Sequence, residues 1–365
     1  MALTQVQPGM LGTTQPYNFK NRIINGAMVI DQRNAGGIIT NPTSPQYLLD
    51  RFYYRSTSTT PTFNVQQNAG SVTPPAGFTN YLGVTMTNSS TPSSTDRFAI
   101  GQPIEGFNTA DLNWGSTNAK TVTLSFWVYS SLTGTFGGTL QNSAQNYSYP
   151  FTYSIPVANT WTQIVLTIAG PTAGTWVGAT NGVGIYVFWS LGTGSTLQGT
   201  AGSWSANTYW AGTGSTNIVS TNNATFYITG VQLELGVSAT SFDYRPYGTE
   251  LALCQRYYAI INTQNYSAGY SSNTSSAYSS CFYFPVTMRT TPTTITLPTA
   301  GQSTGQISFT TGVGGYPSAT GTHAISASNT SLFSITGSGY TGLTSGAPAF
   351  LFSNGTCPIT ASAEL

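Results

Sequence analysis

Charge is what this sequence has least of: ten Lys and Arg, nine Asp and Glu and a single His in 365 residues. A net charge of +1 leaves no cluster of cations for phosphate, so no nucleic-acid partner is expected. The one histidine, His323, sits in a Gly/Ser/Thr-rich stretch with no orienting acid nearby. A Ser-His-Asp triad is therefore disfavoured, and the residue reads as a surface or turn histidine. No Walker loop, metal-ligand cluster or calcium-loop spacing occurs, and no cofactor is expected. Three cysteines, Cys254, Cys281 and Cys357, lack metal-type spacing and read as buried free thiols. A Cys281–Cys357 disulfide is disfavoured at cytoplasmic redox poise. The N-terminal region has neither a basic stretch nor a long apolar core, which points to synthesis in a cytoplasm without Sec export and to no membrane insertion. Heptads, collagen repeats and β-helix periods are missing too, which excludes a long shaft.

What is abundant is aromatic and small polar. The 22 Tyr, 18 Phe and 7 Trp supply the apolar area that a chain so rich in Gly, Ser and Thr would otherwise lack. Thr, Tyr, Phe, Val and Trp also suit a half-buried pleated surface, so an all-β protein of two or three domains is expected.

Alternation supplies the strands. In Thr121–Tyr129, Val122, Leu124, Phe126 and Val128 share one face. Ile164, Leu166 and Ile168 repeat the pattern after Trp161, and Val183–Trp189, apolar on both parities, suits a strand buried on both sides. In Ala224–Leu235 the parity switches at Gly230, the mark of a β-bulge. Trp127, Trp161 and Trp189 read as core. A short helix follows, with Thr249 as its cap, Glu250 at its positive end and Leu251, Cys254 and Tyr258 on one side. Strands are then expected at Cys281–Met288, Thr293–Leu297, Gln306–Thr310, Leu332–Thr336 and Phe350–Phe352. Met1–Phe19, neutral and broken by Pro8, Gly9, Gly12 and Pro16, has no core pattern of its own and reads as an attachment arm.

Five of the charged residues, Glu234, Asp243, Arg245, Glu250 and Arg256, stand between two neutral stretches, Thr121–Leu233 and Tyr257–Met288. The segment VQLELGVSATSFDYRPYGTELALCQRYY (Val231–Tyr258) reads as a joint between domains. With NRIINGAMVIDQR (Asn21–Arg33), LDRFY (Leu49–Tyr53), TVTLSFWV (Thr121–Val128) and FPVTMRTTPT (Phe284–Thr293), it resembles bacteriophage structural proteins of the tail-fibre or receptor-binding type. In those proteins a jelly-roll module like a carbohydrate-binding module ends in a CQRYY joint. The resemblance covers about Asn21 to Thr293. Together with the strand pattern it gives the expected division: an arm at 1–20, a jelly-roll β-sandwich at 21–248, and a linking helix with a second, smaller β-sandwich domain at 249–365.

Jelly-roll ends often pair, so Arg33, Asp50, Arg51, Glu234, Asp243 and Arg245 are candidates for ion pairs that lock first and last strands together. A structural calcium using Asp31 and Glu234 is the alternative. For chemistry, glycoside hydrolysis needs only two carboxylates, which Asp96, Glu105 and Asp111 could supply; Asp96 paired with Arg97 or Lys120 and Asp111 capping a turn is the favoured account.

Binding fits better. Trp176, Trp204, Tyr209 and Trp210 lie outside the clear strands in Gly/Ser/Asn-rich segments, where exposed rings would form a sugar platform or fill a subunit interface, the latter slightly favoured. The expected protein is a non-enzymatic virion component, made in the host bacterial cytoplasm. Its expected partners are its own copies in a homotrimer, other virion proteins through the arm, and a host surface glycan. A head fibre, collar or capsid decoration protein and a glycan depolymerase are the alternatives. Near-zero net charge implies binding that depends little on salt and strongly on aromatics.

Overall fold

The structure is a computed structural model that describes residues 19–301, 303–310 and 321–365. The arm expected over 1–20 lies outside these residues except for Phe19 and Lys20. The chain divides into two compact units, Met1–Glu250 with Leu365, and Leu251–Glu364.

The first unit is a jelly-roll β-sandwich of two six-stranded sheets. One sheet runs β1 (Ile39–Thr40), β4 (Thr62–Gln67), β5 (Leu82–Asn88), β14 (Thr225–Leu235), β7 (Val122–Ser130) and β10 (Thr162–Ile168). The other runs β2 (Gln46–Leu49), β3 (Phe52–Ser56), β6 (Arg97–Glu105), β11 (Val183–Thr193), β8 (Gly134–Gln141) and β9 (Ser148–Ile155). A short parallel pair, β12 (Gln198–Gly199) and β13 (Ala211–Gly212), belongs to the long loop after β11.

Alternation decides what each strand buries. Val122, Leu124, Phe126 and Val128 are fully buried, and Phe126 meets Tyr153 and Trp189 edge-on at 5.2 and 5.4 Å, joining the sheets. β11 pairs with β6 on one edge and β8 on the other, and both its faces are covered, Val187 and Trp189 by the core and Phe188 by Tyr53 and Trp210, as its apolar parities require. The register of β14 against β7 slips between Thr229 and Gln232, where Gly230 takes φ +61°. A Cβ there would lie 2.6 Å from the Phe78 ring, so the bulge demands glycine twice over. Trp189 is core as expected. Trp127 and Trp161 are only half-buried. Trp127 occupies the parity opposite the inward row, and Trp161 packs on Tyr81 at 5.4 Å while its indole N–H donates to the Thr73 carbonyl at 2.8 Å.

The helix α1 (Tyr247–Gln255) starts before its expected cap, because the Pro246 carbonyl accepts from the Thr249 and Glu250 N–H groups at 2.9 and 3.0 Å. Thr249 is thus inside the helix, and Tyr258 belongs to the next strand. In the second unit, β15 (Tyr258–Ser271) and β22 (Pro348–Ser362) pair over most of their length. Around them lie β16 (Ala277–Ser279), β17 (Phe282–Tyr283), β18 (Thr294–Thr296), β19 (Ile307–Thr310), β20 (Thr322–Ser328) and β21 (Leu332–Ser338). The strand expected over Cys281–Met288 shrinks to β17, since Pro285 has no N–H to give a ladder. Cys254 and Cys357 are buried, but Cys281 is exposed, against expectation; none of the three is in a disulfide. His323 lies on β20, half-buried, its Nε2 hydrogen-bonded to the Tyr340 hydroxyl. Burial pushes its pKa down to about 4. The surface or turn position expected for it is therefore corrected.

Candidate functional site

The charged island in the first unit is structural. The segment after Lys20 lies beside the end of β14, held by amides and backbone more than by ion pairs. Asn21 Nδ2 donates to the Val231 carbonyl at 2.9 Å, and Asn21 Oδ1 accepts from the N–H groups of Ile23 and Leu233, each at 3.0 Å. Gly26 passes so close that a Cβ would sit 2.1 Å from the Val231 oxygen. Arg245 pairs with Glu250 at 3.2 Å and donates to the carbonyls of Ile23 and Asn21. Asp243 accepts from the Asn21 N–H at 3.2 Å. Glu234 serves a local turn, accepting from Gln232 Nε2 and from the Thr240 N–H, both at 2.8 Å. Asp31 accepts from Asn34 and Gly36, so it shares no site with Glu234. Among the described residues no group of three or more His, Cys, Asp or Glu could hold a metal. Arg256 falls in the second unit, where its carbonyl accepts from the Arg289 N–H at 2.8 Å.

The four loop aromatics do not form one site. Trp176 and Trp204 meet edge-on at 5.4 Å, both against Trp114, and Tyr147 stacks on Trp204 at 5.9 Å. Their indole N–H groups donate to the Ala173 and Ala169 carbonyls at 3.0 and 2.7 Å. The pair is half-buried against the core rather than held out as a platform. Trp210 is 1 % exposed, packed on Phe188 at 4.7 Å with the Arg97 guanidinium 4.5 Å above it. Tyr209 lies half-buried over Gly199, whose missing side chain makes room for its ring. The loop composition could signal position outside the strands, but not that the loops fold back onto the sandwich.

The carboxylates weighed for hydrolysis are also occupied. Asp111 is held by both Arg22 nitrogens at 2.7 Å. Burial raises its pKa, yet the hydrogen bonds and charge of Arg22 outweigh that and keep the carboxyl below its usual range. Asp96 accepts from the Ser93 N–H at 2.8 Å and the Thr57 hydroxyl at 3.1 Å. Glu105 is 1 % exposed.

A cleft that sequence reasoning missed opens where the edge strands of the two sheets part. It encloses about 510 Å³ between the loops around β1–β2 and β3–β4. Tyr54 and Phe63, edge-on at 4.9 Å, are its buried aromatic members, one from each sheet. Burial pushes the Tyr54 phenol up to about 12, so this ring stays neutral. The remaining lining is Asn41, Pro42, Thr43, Ser44, Ser56, Thr57, Ser58, Thr59, Pro61 and Thr62, with no Asp, Glu, Lys, Arg or His. Some hydroxyls brace the walls: Ser44 Oγ accepts from the Ser56 N–H at 2.7 Å, and Ser56 Oγ donates to the Ser58 carbonyl at 2.9 Å. Thr59, at the tip of the β3–β4 loop, is exposed. A neutral wall of hydroxyls and amide beside an aromatic pair can orient a polyhydroxylated ligand and has nothing with which to transfer a proton. Its signal in the sequence was the run Arg55–Thr62, RSTSTTPT, which reads as an ordinary loop.

No protein-family model and no curated protein matches the chain. Solved structures do. Over 60% of its length the chain is similar to the enzymatically active domain of bacteriophage CBA120 tailspike protein 4, at 15% identity and TM-score 0.32, covering 22% of that chain. Over 56% it is similar to the family 11 carbohydrate-binding module from Clostridium thermocellum, solved with a β-1,3-1,4-mixed-linked tetrasaccharide, at 12% identity and TM-score 0.26, covering 98% of that chain. The N-terminal cellulose-binding domain of Cellulomonas fimi β-1,4-glucanase C matches 51% of the chain at 14% identity and TM-score 0.27, over 90% of its own length. At such identities the likeness describes the fold alone.

Proposed function

We propose that the protein is a non-enzymatic bacteriophage virion protein, a short fibre or receptor-binding protein that attaches the particle to a host-surface glycan. The observation that carries this reading is the cleft between β1–β4 and β2–β3, neutral, hydroxyl-lined and about 510 Å³ in volume. Neutral hydrogen-bonding groups on an uncharged wall match a sugar's hydroxyls, with Tyr54 and Phe63 buried behind them. In this reading the protein is a homotrimer made in the host cytoplasm and joined to the virion through residues 1–20.

A head fibre, collar or capsid decoration role is the second reading, favoured by the burial of Trp176, Trp204 and Trp210, which leaves these rings serving the subunit itself.

The test is adhesion of the full-length protein to host cells and to their purified surface polysaccharide, with Thr59→Trp placed to fill the cleft. Adhesion should fall at least tenfold while the melting temperature stays within a degree or so of the parent, because Thr59 is exposed. Undiminished adhesion in Thr59→Trp rejects the cleft. A parent protein that binds neither cells nor polysaccharide leaves the decoration reading in place.

A further inference from the structure

The outer face of the second sheet carries charge that the described residues do not pair. Arg55 on β3 and Arg97 at the start of β6 occupy the parity opposite the core residues Tyr54 and Phe98. Strand pairing sets Arg55 across from Ala99, one outward position along from Arg97. Among the described residues neither guanidinium forms an ion pair, and Arg97 Nε is buried without an acceptor. Asp96, next in sequence, gives its oxygens to Ser93 and Thr57.

Two further donors in this region are unused. The indole N–H of Trp210 and the hydroxyl of Tyr53 are buried with no partner, on residues only 1 % and 3 % exposed. Trp210 lies directly beneath Arg97, and Phe188 links it to Tyr53 through ring contacts of 4.7 and 5.6 Å. Burial, and then the like charge of Arg55, pulls the Arg97 pKa down, so the two cations feel one another. Buried donors are rarely left unpaired, and paired cations rarely left unopposed. Together they describe one half of an interaction whose other half accepts hydrogen bonds and is negative.

The shape of that other half follows from the donors. A guanidinium presents a planar fork that a carboxylate matches, and the half-buried Tyr186, stacked on Phe188 at 5.5 Å in the same cluster as Trp210, suits a sugar ring. Arg55 immediately precedes Ser56, and the Arg97 N–H donates to Thr57 Oγ1 at 3.0 Å. Both Ser56 and Thr57 line the neutral cleft, so arginines and cleft share one corner of the sandwich. Resting on the glycan reading above, we infer that the ligand is an acidic saccharide whose carboxylate is received by Arg55 and Arg97 while neutral sugar units occupy the cleft. The expectation of salt-insensitive binding is thereby reversed: a carboxylate held by two half-buried cations weakens as salt rises.

Calorimetry on the full-length protein tests this with a matched pair of ligands, a uronic-acid oligosaccharide and the same oligosaccharide carboxyl-reduced to its neutral form, with sodium sulfate as a third titrant. The acid form should bind about tenfold more tightly, as expected of one added charge-assisted contact, and lose that advantage as NaCl rises. Arg55→Gln and Arg97→Gln should each weaken the acid form until the two forms bind with nearly equal affinity. Arg22→Gln, whose ion pair lies elsewhere, should keep the preference. Equal binding of both forms by the parent protein overturns the acidic assignment and leaves the glycan reading standing. Sulfate binding as tightly as the oligosaccharide overturns the sugar in favour of a bare anion site. No binding of either saccharide form overturns both readings.

Discussion

The two units hold neutral β structure together by different means. In the first, large rings reach across the gap between sheets: Phe126, Tyr153 and Trp189 make one contact chain through the core, and Tyr54 with Phe63 closes its rim. In the second, the long pairing of β15 with β22, from Tyr258 opposite Ser362 to Tyr270 opposite Pro348, does what area does in the first. Beneath that ladder five alanines, Ala259, Ala277, Ala349, Ala361 and Ala363, are buried among larger residues such as Phe309, Phe333, Ile335, Leu351 and Met288. A sandwich built on rings tolerates long loops, because each ring buries enough apolar area to fix its strand. Where alanines face the ladder the second unit depends on close approach, so its weakness at those positions is excess volume rather than lost volume.

That contrast can be broken by removing volume from one unit and adding it to the other. Trp189→Ala should cost the first unit about 3–5 kcal/mol, the range for emptying a large buried aromatic site. Chemical denaturation followed by tryptophan fluorescence checks it, and a cost below about 1 kcal/mol would mean the rings do not set its stability. A smaller effect comes from acid. His323 stays neutral in the folded second unit down to about pH 4, whereas in the unfolded chain it protonates near pH 6.5. Between these values the unfolded state binds more protons, so stability falls as pH drops through the window, by up to about 3 kcal/mol before solvent screening is discounted. Melting curves from pH 7 to pH 4 should show this slope, and His323→Gln should flatten it. The smallest of the three is Ala361→Leu, which should destabilise the second unit by about 1–3 kcal/mol through overpacking; a neutral result would show that the small core has slack.

Much of the fold was legible because parity is a local property. The inward row of β7, the doubly buried β11 and the bulge at Gly230 were all written in neighbouring residues. The second unit was harder. Pro285 cut a strand that its apolar neighbours suggested, and β20 has so little apolar content that only pairing with β21 makes it a strand. The site was least legible. Trp210 looked like a loop aromatic because sequence cannot show that its loop folds back over Phe188. The cleft around Thr59 was hidden for the opposite reason, since its hydroxyls carry no pattern until two sheet edges frame them. Arg55 and Arg97 stand far apart in sequence, and only the pairing of β3 with β6 makes them neighbours.

The course of the chain past Gly26 has a consequence for how the first sandwich can be handled. Lys20 Nζ reaches the Ser241 carbonyl at 2.7 Å, so the segment that brings the chain in and the segment that takes it out stand side by side. Such a domain is a bead whose two string ends leave by one hole. Joining Lys20 to Ser241 through a few linker residues, with new termini opened in the exposed turn near Gly214, should give a circular permutant with every strand in place. The same geometry lets an exchange of the whole bead between chains leave the path of the flanking segments undisturbed.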